Sequence, residues 1–273
     1  MSKSFVLAVG IDEYQNADIG DLSWAAADAQ AFHSAFVRGR EAGSVDGRLL
    51  LNEAATAVAL REALGEWLTT AGPDDNVTAF FAGHGGREIQ IGGNLRSDSA
   101  SYLLPTDTDI NHIYSTAVSL THELPVILGR IRAKHVTIIL DCCLAGASRT
   151  FADGMRGRGI DGPNFKRMSR LSDIPVNAAV TVDKGEMHDI GEGVSVLMAC
   201  GPHQGAGESD VLGHGIFTHF LLQSIEGYRS QNHRSVSLGE IYASVVRSVV
   251  TETDASQVPM LEGRLSDQRF FLG

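Results

Sequence analysis

Cysteine is scarce: three residues in a chain of 273, an odd count that argues against a disulfide framework and suits a reducing compartment where thiols persist. A cytoplasmic setting is therefore expected. Long apolar runs are missing as well, and no stretch reaches the length that a membrane-spanning helix needs. The opening run Phe5 to Val9, behind a single positive charge, is too short for a secretory signal and reads as a strand. Basic residues are outnumbered, 22 Lys and Arg against 33 Asp and Glu, for a formal net charge of -11. That balance would repel phosphate backbones and anionic lipid, so neither nucleic acid nor membrane is expected as a partner. No Cys or His pair has zinc-ligand spacing, and His-Glu-x-x-His, Gly-x-Ser-x-Gly and the phosphate-binding Gly-x-x-x-x-Gly-Lys-Ser/Thr loop are all absent.

What is present is an ordinary globular composition, 43% hydrophobic and 20% charged, with strand-like and helix-like segments in alternation. Strands are expected at 5–9, 48–51, 77–82, 136–140, 194–200 and 269–272, with a hairpin ending near 102–104. Helices are expected at 22–37, 57–68, 120–132, 217–225 and 238–250, with Thr56 and Ser237 as caps. This order predicts an α/β fold, a three-layer α/β/α sandwich with a mostly parallel central sheet. In such sheets ligands collect at the carboxyl ends of the strands, which directs attention to the residues after Ala82, Leu140 and Cys200.

Two of those strand ends carry reactive side chains. Phe80-Phe81-Ala82 runs into Gly83-His84-Gly85-Gly86, and Ile138-Ile139-Leu140 runs into Asp141-Cys142-Cys143. Alone, His84 reads more simply as a structural histidine in a glycine turn, and Cys143 as a small buried hydrophobe. Jointly they suggest a dyad, because a thiol becomes a useful nucleophile beside an imidazole. The amides of Gly85 and Cys143 are the expected oxyanion hole. Cys142 and Cys200 are expected to pack. His203 and His214 fall near the presumed cleft, of which the segment from Cys200 to about Gly215 is expected to form one wall.

The pairing of Ala82-Gly83-His84-Gly85-Gly86 with Asp141-Cys142-Cys143-Leu144-Ala145-Gly146, 59 residues from His84 to Cys143, resembles the caspase and metacaspase clan. Ala8-Val9-Gly10-Ile11-Asp12-Glu13-Tyr14, Leu103-Leu104-Pro105-Thr106-Asp107 and Gly215-Ile216-Phe217-Thr218 fit the same template, so the resemblance covers nearly the whole chain. It implies a single caspase-like peptidase domain over 1–273: a large-subunit-like part with the dyad (1–148), a mobile loop or linker (149–185) and a small-subunit-like part (186–273). The site is closer to the metacaspase Asp-Ser-Cys-His-Ser-Gly than to the animal caspase Gln-Ala-Cys-Arg-Gly. The resemblance therefore implies a thiol protease with Cys143 as nucleophile, His84 as partner, and Asp141 with Asp28 gripping Arg or Lys before the scissile bond.

This sequence departs from that pattern at Cys142, Leu144 and Ala145. The metacaspase calcium cluster does not map residue by residue: Asp107, Asp109, Asp153, Asp161 and Asp173 are candidates and none is assigned, so calcium stays open. No other cofactor is required. The loop carrying Arg149, Arg156, Arg158, Arg167 and Arg170 offers cleavable bonds to a basic-specific protease, which suggests a zymogen activated by autoprocessing or by an upstream protease. Two other readings share the residues: a catalytically silent caspase-fold interaction module, and another Cys-dependent acyl transferase.

Overall fold

In the computed structural model, residues 2–38, 40–87, 100–143, 193–201, 204–263 and 269–272 are described. The arginine-rich 149–170 segment, with Leu144, Ala145, His203, Asp153, Asp161 and Asp173, lies outside them. The first half runs β1 (Ser4–Gly10), α1 (Ala25–Val37), β2 (Val45–Leu51), α2 (Ala57–Glu62), β3 (Asn76–Ala82), β4 (Gly85–Arg87), β5 (Ser101–Leu103), α3 (Ile113–Thr116), β6 (Val118–Ser119), α4 (Glu123–Leu128) and β7 (His135–Asp141). The second half runs β8 (Val194–Met198), β9 (Glu208–Ser209), β10 (His214–Gly215), α5 (Ile216–Ser230), β11 (Ser235–Ser237), α6 (Leu238–Glu252), β12 (Met260–Gly263) and β13 (Arg269–Phe271).

Six strands form the central sheet in the order β12-β8-β7-β3-β1-β2. All pair in parallel except β12, which meets β8 antiparallel. The inner strands are apolar on both sides because both are covered. Phe5, Leu7, Val9, Phe81, Ile138 and Val196 face a cluster closed by Leu60, Leu64, Trp67 and Leu124. Val6, Ala8, Phe80, Ile139 and Leu197 face another, closed by Phe32, Phe217, Leu221, Ile241 and Val245. The predicted α/β sandwich with a mostly parallel sheet is thus the observed fold. Among the described residues no helix is long and apolar enough to cross a membrane.

Several boundaries depart from expectation. The first helix begins at Ala25, not Leu22, because the amides of Ser23 and Trp24 bond the Glu208 carboxylate, and those of Ala25 and Ala26 bond Asp12. Two acidic side chains at a helix N-terminus satisfy its unpaired donors and suit its dipole. Gly10 is what lets this end of α1 approach β1, since a Cβ there would lie 2.3 Å from the Ala25 carbonyl oxygen. The helix expected at 120–132 shrinks to α4, because Val118 and Ser119 pair with β5 and the Leu120 amide bonds the Ser101 carbonyl. β12 escaped the sequence reading. β13 pairs with β11 outside the main sheet. Both expected caps stand: Ala59 N–H donates to Thr56 Oγ1, and Ser237 with Glu240 forms a reciprocal capping box, each contributing about 1 kcal/mol.

Candidate active site

The strands β3 and β7 pair in parallel from Asn76↔His135 to Ala82↔Asp141, and the Gly83 amide extends the pairing to the Asp141 carbonyl. His84 and Cys143 each lie two residues beyond the same register pair. They leave the sheet as neighbours at its carboxyl edge, where α/β sheets gather ligands.

Each is held by groups that sequence reasoning did not assign. The His84 amide donates to the Tyr14 hydroxyl at 2.8 Å, and the two rings lie 5.1 Å apart between centroids. His84 Nε2 lies 2.8 Å from the Gly20 carbonyl oxygen. A carbonyl only accepts, so Nε2 carries a hydrogen, and in the neutral ring Nδ1 is left as the basic nitrogen. On the other side, the Ala206 amide donates to Cys143 Sγ at 2.8 Å. A hydrogen bond to sulfur favours the thiolate over the thiol. Cys143 is half-buried, whereas Cys142 and Cys200 are buried. Tyr14 lies in a motif segment that the sequence displayed, but a backbone carbonyl and a backbone amide leave no residue-type signal.

Gly85 opens β4 opposite Leu103 of β5. The bond from the Leu104 amide to the His84 carbonyl makes Gly85 and Leu103 a pair that exchanges no ladder bonds, so the Gly85 N–H points away from β5.

The two carboxylates expected to bind a basic side chain are fully buried and converge on the start of α5. Asp141 Oδ2 accepts from the Thr218 hydroxyl at 2.6 Å. Asp28, on α1, accepts from His214 Nδ1 at 2.7 Å and from the Gly215 amide at 3.0 Å. The segment Gly215 to Thr218 therefore supplies donors to both, with the positive end of a 15-residue helix behind them. Burying a carboxylate is tolerable only when donors meet it, and the fold provides them.

Two of the loosely proposed calcium ligands have other partners. Asp107 accepts from the Ala57 amide, and Asp109 caps the turn at Ile110–His112 while bonding His112, which holds its carboxyl below the usual range. Among the described residues, no group of three or more His, Cys, Asp or Glu side chains could hold a metal ion.

A mostly parallel α/β sheet with an imidazole and a thiol on adjacent strand ends defines a class, and the comparisons are consistent with it. The caspase-domain profile matches residues 3–271, and the chain belongs to that family. A crystal structure of a protein from Geobacter sulfurreducens superposes with a TM-score of 0.66 over 97% of each chain at 19% identity, a likeness of fold. No curated protein sequence matches.

Proposed function

We propose that the protein is a cysteine endopeptidase that cleaves after Arg or Lys through a Cys143–His84 dyad. The observation that carries this reading is the shared register: two reactive residues, each two positions past Ala82↔Asp141, on parallel neighbours. Cys143 sulfur attacks the scissile carbonyl carbon, and the oxyanion rests on the amides of Gly85 and Cys143. His84, oriented by the Gly20 carbonyl and the Tyr14 hydroxyl, passes a proton to the leaving amine from Nδ1, and water then releases the thioester. Preference for a basic residue follows from Asp141 and Asp28 gathered at the start of α5, whose charge favours a guanidinium or ammonium and disfavours Asp. Cleavage within 149–170, by this enzyme or another protease, is the proposed activation step and rests on the sequence alone. Calcium dependence and the fold-module reading are settled by the same assay.

The test is a matched panel of Arg, Lys and Asp reporter peptides, with and without calcium, on wild type, Cys143→Ala and His84→Ala. Turnover of the Arg and Lys reporters is expected, lost by roughly 10³-fold or more in either variant. Preference for the Asp reporter would overturn the specificity. No turnover of any reporter, together with no covalent capture of Cys143 by an Arg-directed chloromethyl ketone, would favour an interaction module.

A further inference from the structure

Cys200 has no part in the dyad, yet its position is informative. The strands β7 and β8 are parallel neighbours with Leu140 opposite Met198, and the Ala199 amide bonds the Leu140 carbonyl at 2.9 Å. Carrying that register forward sets Cys142 level with Cys200 and Cys143 one position beyond. Strict alternation from there would leave Cys142 and Cys200 on one face, but β8 ends at Met198, and past it Ala199 and Cys200 both turn to the face under α1, α5 and α6. Cys142 belongs to the cluster under α2 and α4, while Cys200 and Cys143 belong to the opposite cluster. Both of these sulfurs rest on one short loop: Cys143 Sγ accepts from the Ala206 amide at 2.8 Å, and Cys200 Sγ donates to the Gln204 carbonyl at 3.2 Å. The two thiols are hydrogen-bonded to each other, the close approach of sulfurs that a disulfide requires.

We propose that Cys143 and Cys200 are a redox couple, closing a reversible intramolecular disulfide when the protein meets a peroxide. The Cys143 thiolate attacks a peroxide oxygen: an S–O bond forms, the O–O bond breaks, hydroxide leaves, and sulfur is oxidised to the sulfenic acid as peroxide is reduced. Cys200 sulfur then attacks Cys143 sulfur; the S–S bond forms, the S–O bond breaks, and the departing hydroxide takes the Cys200 proton as water. The roles follow from environment. Cys143 is half-buried with an amide on its sulfur, so it reacts first. A hydrogen bond with Cys143 and then burial push the Cys200 thiol well above its ordinary range, so it waits as a thiol. Cys142 faces the other side of the sheet and takes no part. The consequence is a nucleophile that is masked under oxidation and shielded from irreversible sulfinic acid. Of the peptidase reading, this shares only the reactivity of Cys143.

The experiment exposes wild type, Cys200→Ser and Cys142→Ser to hydrogen peroxide without thiol reductant, alkylates under denaturing conditions, and reads intact mass and a non-reducing digest. Wild type and Cys142→Ser are expected to lose two hydrogens and yield a Cys143 peptide linked to the Cys200 peptide, with full recovery of chloromethyl ketone capture after dithiothreitol. Cys200→Ser is expected to give no crosslink, to accumulate sulfinic Cys143, and to recover little capture. Sulfinic Cys143 without a crosslink in wild type, or a crosslink between Cys142 and Cys143, overturns the proposal. If Cys200→Ser does not fold, the wild-type digest still decides. Because the mass readout needs no turnover, a chain that crosslinks but cleaves no reporter sustains this proposal and defeats the peptidase reading, and the converse result does the reverse.

Discussion

On the face of the sheet covered by α2 and α4, the strands present Leu7, Val9, Val77, Ala79, Phe81, Val136, Ile138 and Leu140, all apolar. On the face covered by α1, α5 and α6, the same strands bury Thr78, Thr137, Asp141 and Ser195 among Val6, Phe80, Ile139 and Leu197, while the helices bury Asp28, Thr218 and Ser224. One sheet thus carries two cores built to different rules. The apolar face is held by dispersion and the hydrophobic effect, which demand volume and little direction. The mixed face carries directional bonds, Thr218 to Asp141 and the Gly215 amide to Asp28 among them, which hold helices and strand ends in fixed relation, although the buried Ser195 and Ser224 hydroxyls are left without a partner among the described residues. Cys143, Cys200 and both candidate pocket acids belong to this second face, so the candidate site lies among its directional contacts.

Three perturbations probe this contrast. Leu60 is 1% exposed on the apolar face. Leu60→Ala is expected to cost about 2–5 kcal/mol in urea unfolding, while chloromethyl ketone capture of Cys143 below the transition keeps its rate. Loss of capture at that site would show that the faces are not separable. On the mixed face, Asp141→Ala strands the Thr218 hydroxyl and is expected to cost about 1–3 kcal/mol. Unlike the leucine change, it is also expected to erode discrimination of Arg over Asp reporters, read as a ratio of kcat/KM; an unchanged ratio would reduce Asp141 to a structural role.

The smallest effect concerns an exception. Glu262 on β12 stands opposite Val196, on the apolar face, and burial raises its pKa. A raised folded-state value means that the folded protein holds this proton more tightly than the unfolded chain. The resulting penalty is absent below the unfolded carboxylate range, grows as pH rises through the folded pKa, and is complete above it. Glu262→Gln should therefore raise Tm slightly at neutral pH, with the difference fading on acidification. A Tm that falls at neutral pH would mean that the carboxylate has a stabilising role.

Much of the scaffold was legible because period and punctuation are local. Val136 to Leu140 announced a buried parallel strand, and Thr56 and Ser237 announced helix starts. The placement of His84 and Cys143 on adjacent strand ends was legible for a related reason: two residues, each two positions past a strongly apolar strand, need only the register to emerge side by side. Other features were not, since their causes lie far along the chain. The start of α1 depends on Glu208, 184 positions from Trp24 in sequence, and β12 is a short segment that becomes a strand only beside β8.

Residue types and their spacing were enough to determine a mostly parallel α/β sheet and the two strand ends that carry an imidazole and a thiol. Tertiary structure alone decided how the residues of the candidate site are held: the Gly20 carbonyl on His84, the Ala206 amide on Cys143, His214 on Asp28, and Cys200 on the same side of the sheet as Cys143. The division has a physical cause. Hydrophobic period and backbone propensity act over a few residues, whereas a hydrogen bond to a buried group takes whichever donor or acceptor the folded chain brings within 3 Å or so, wherever it lies in sequence.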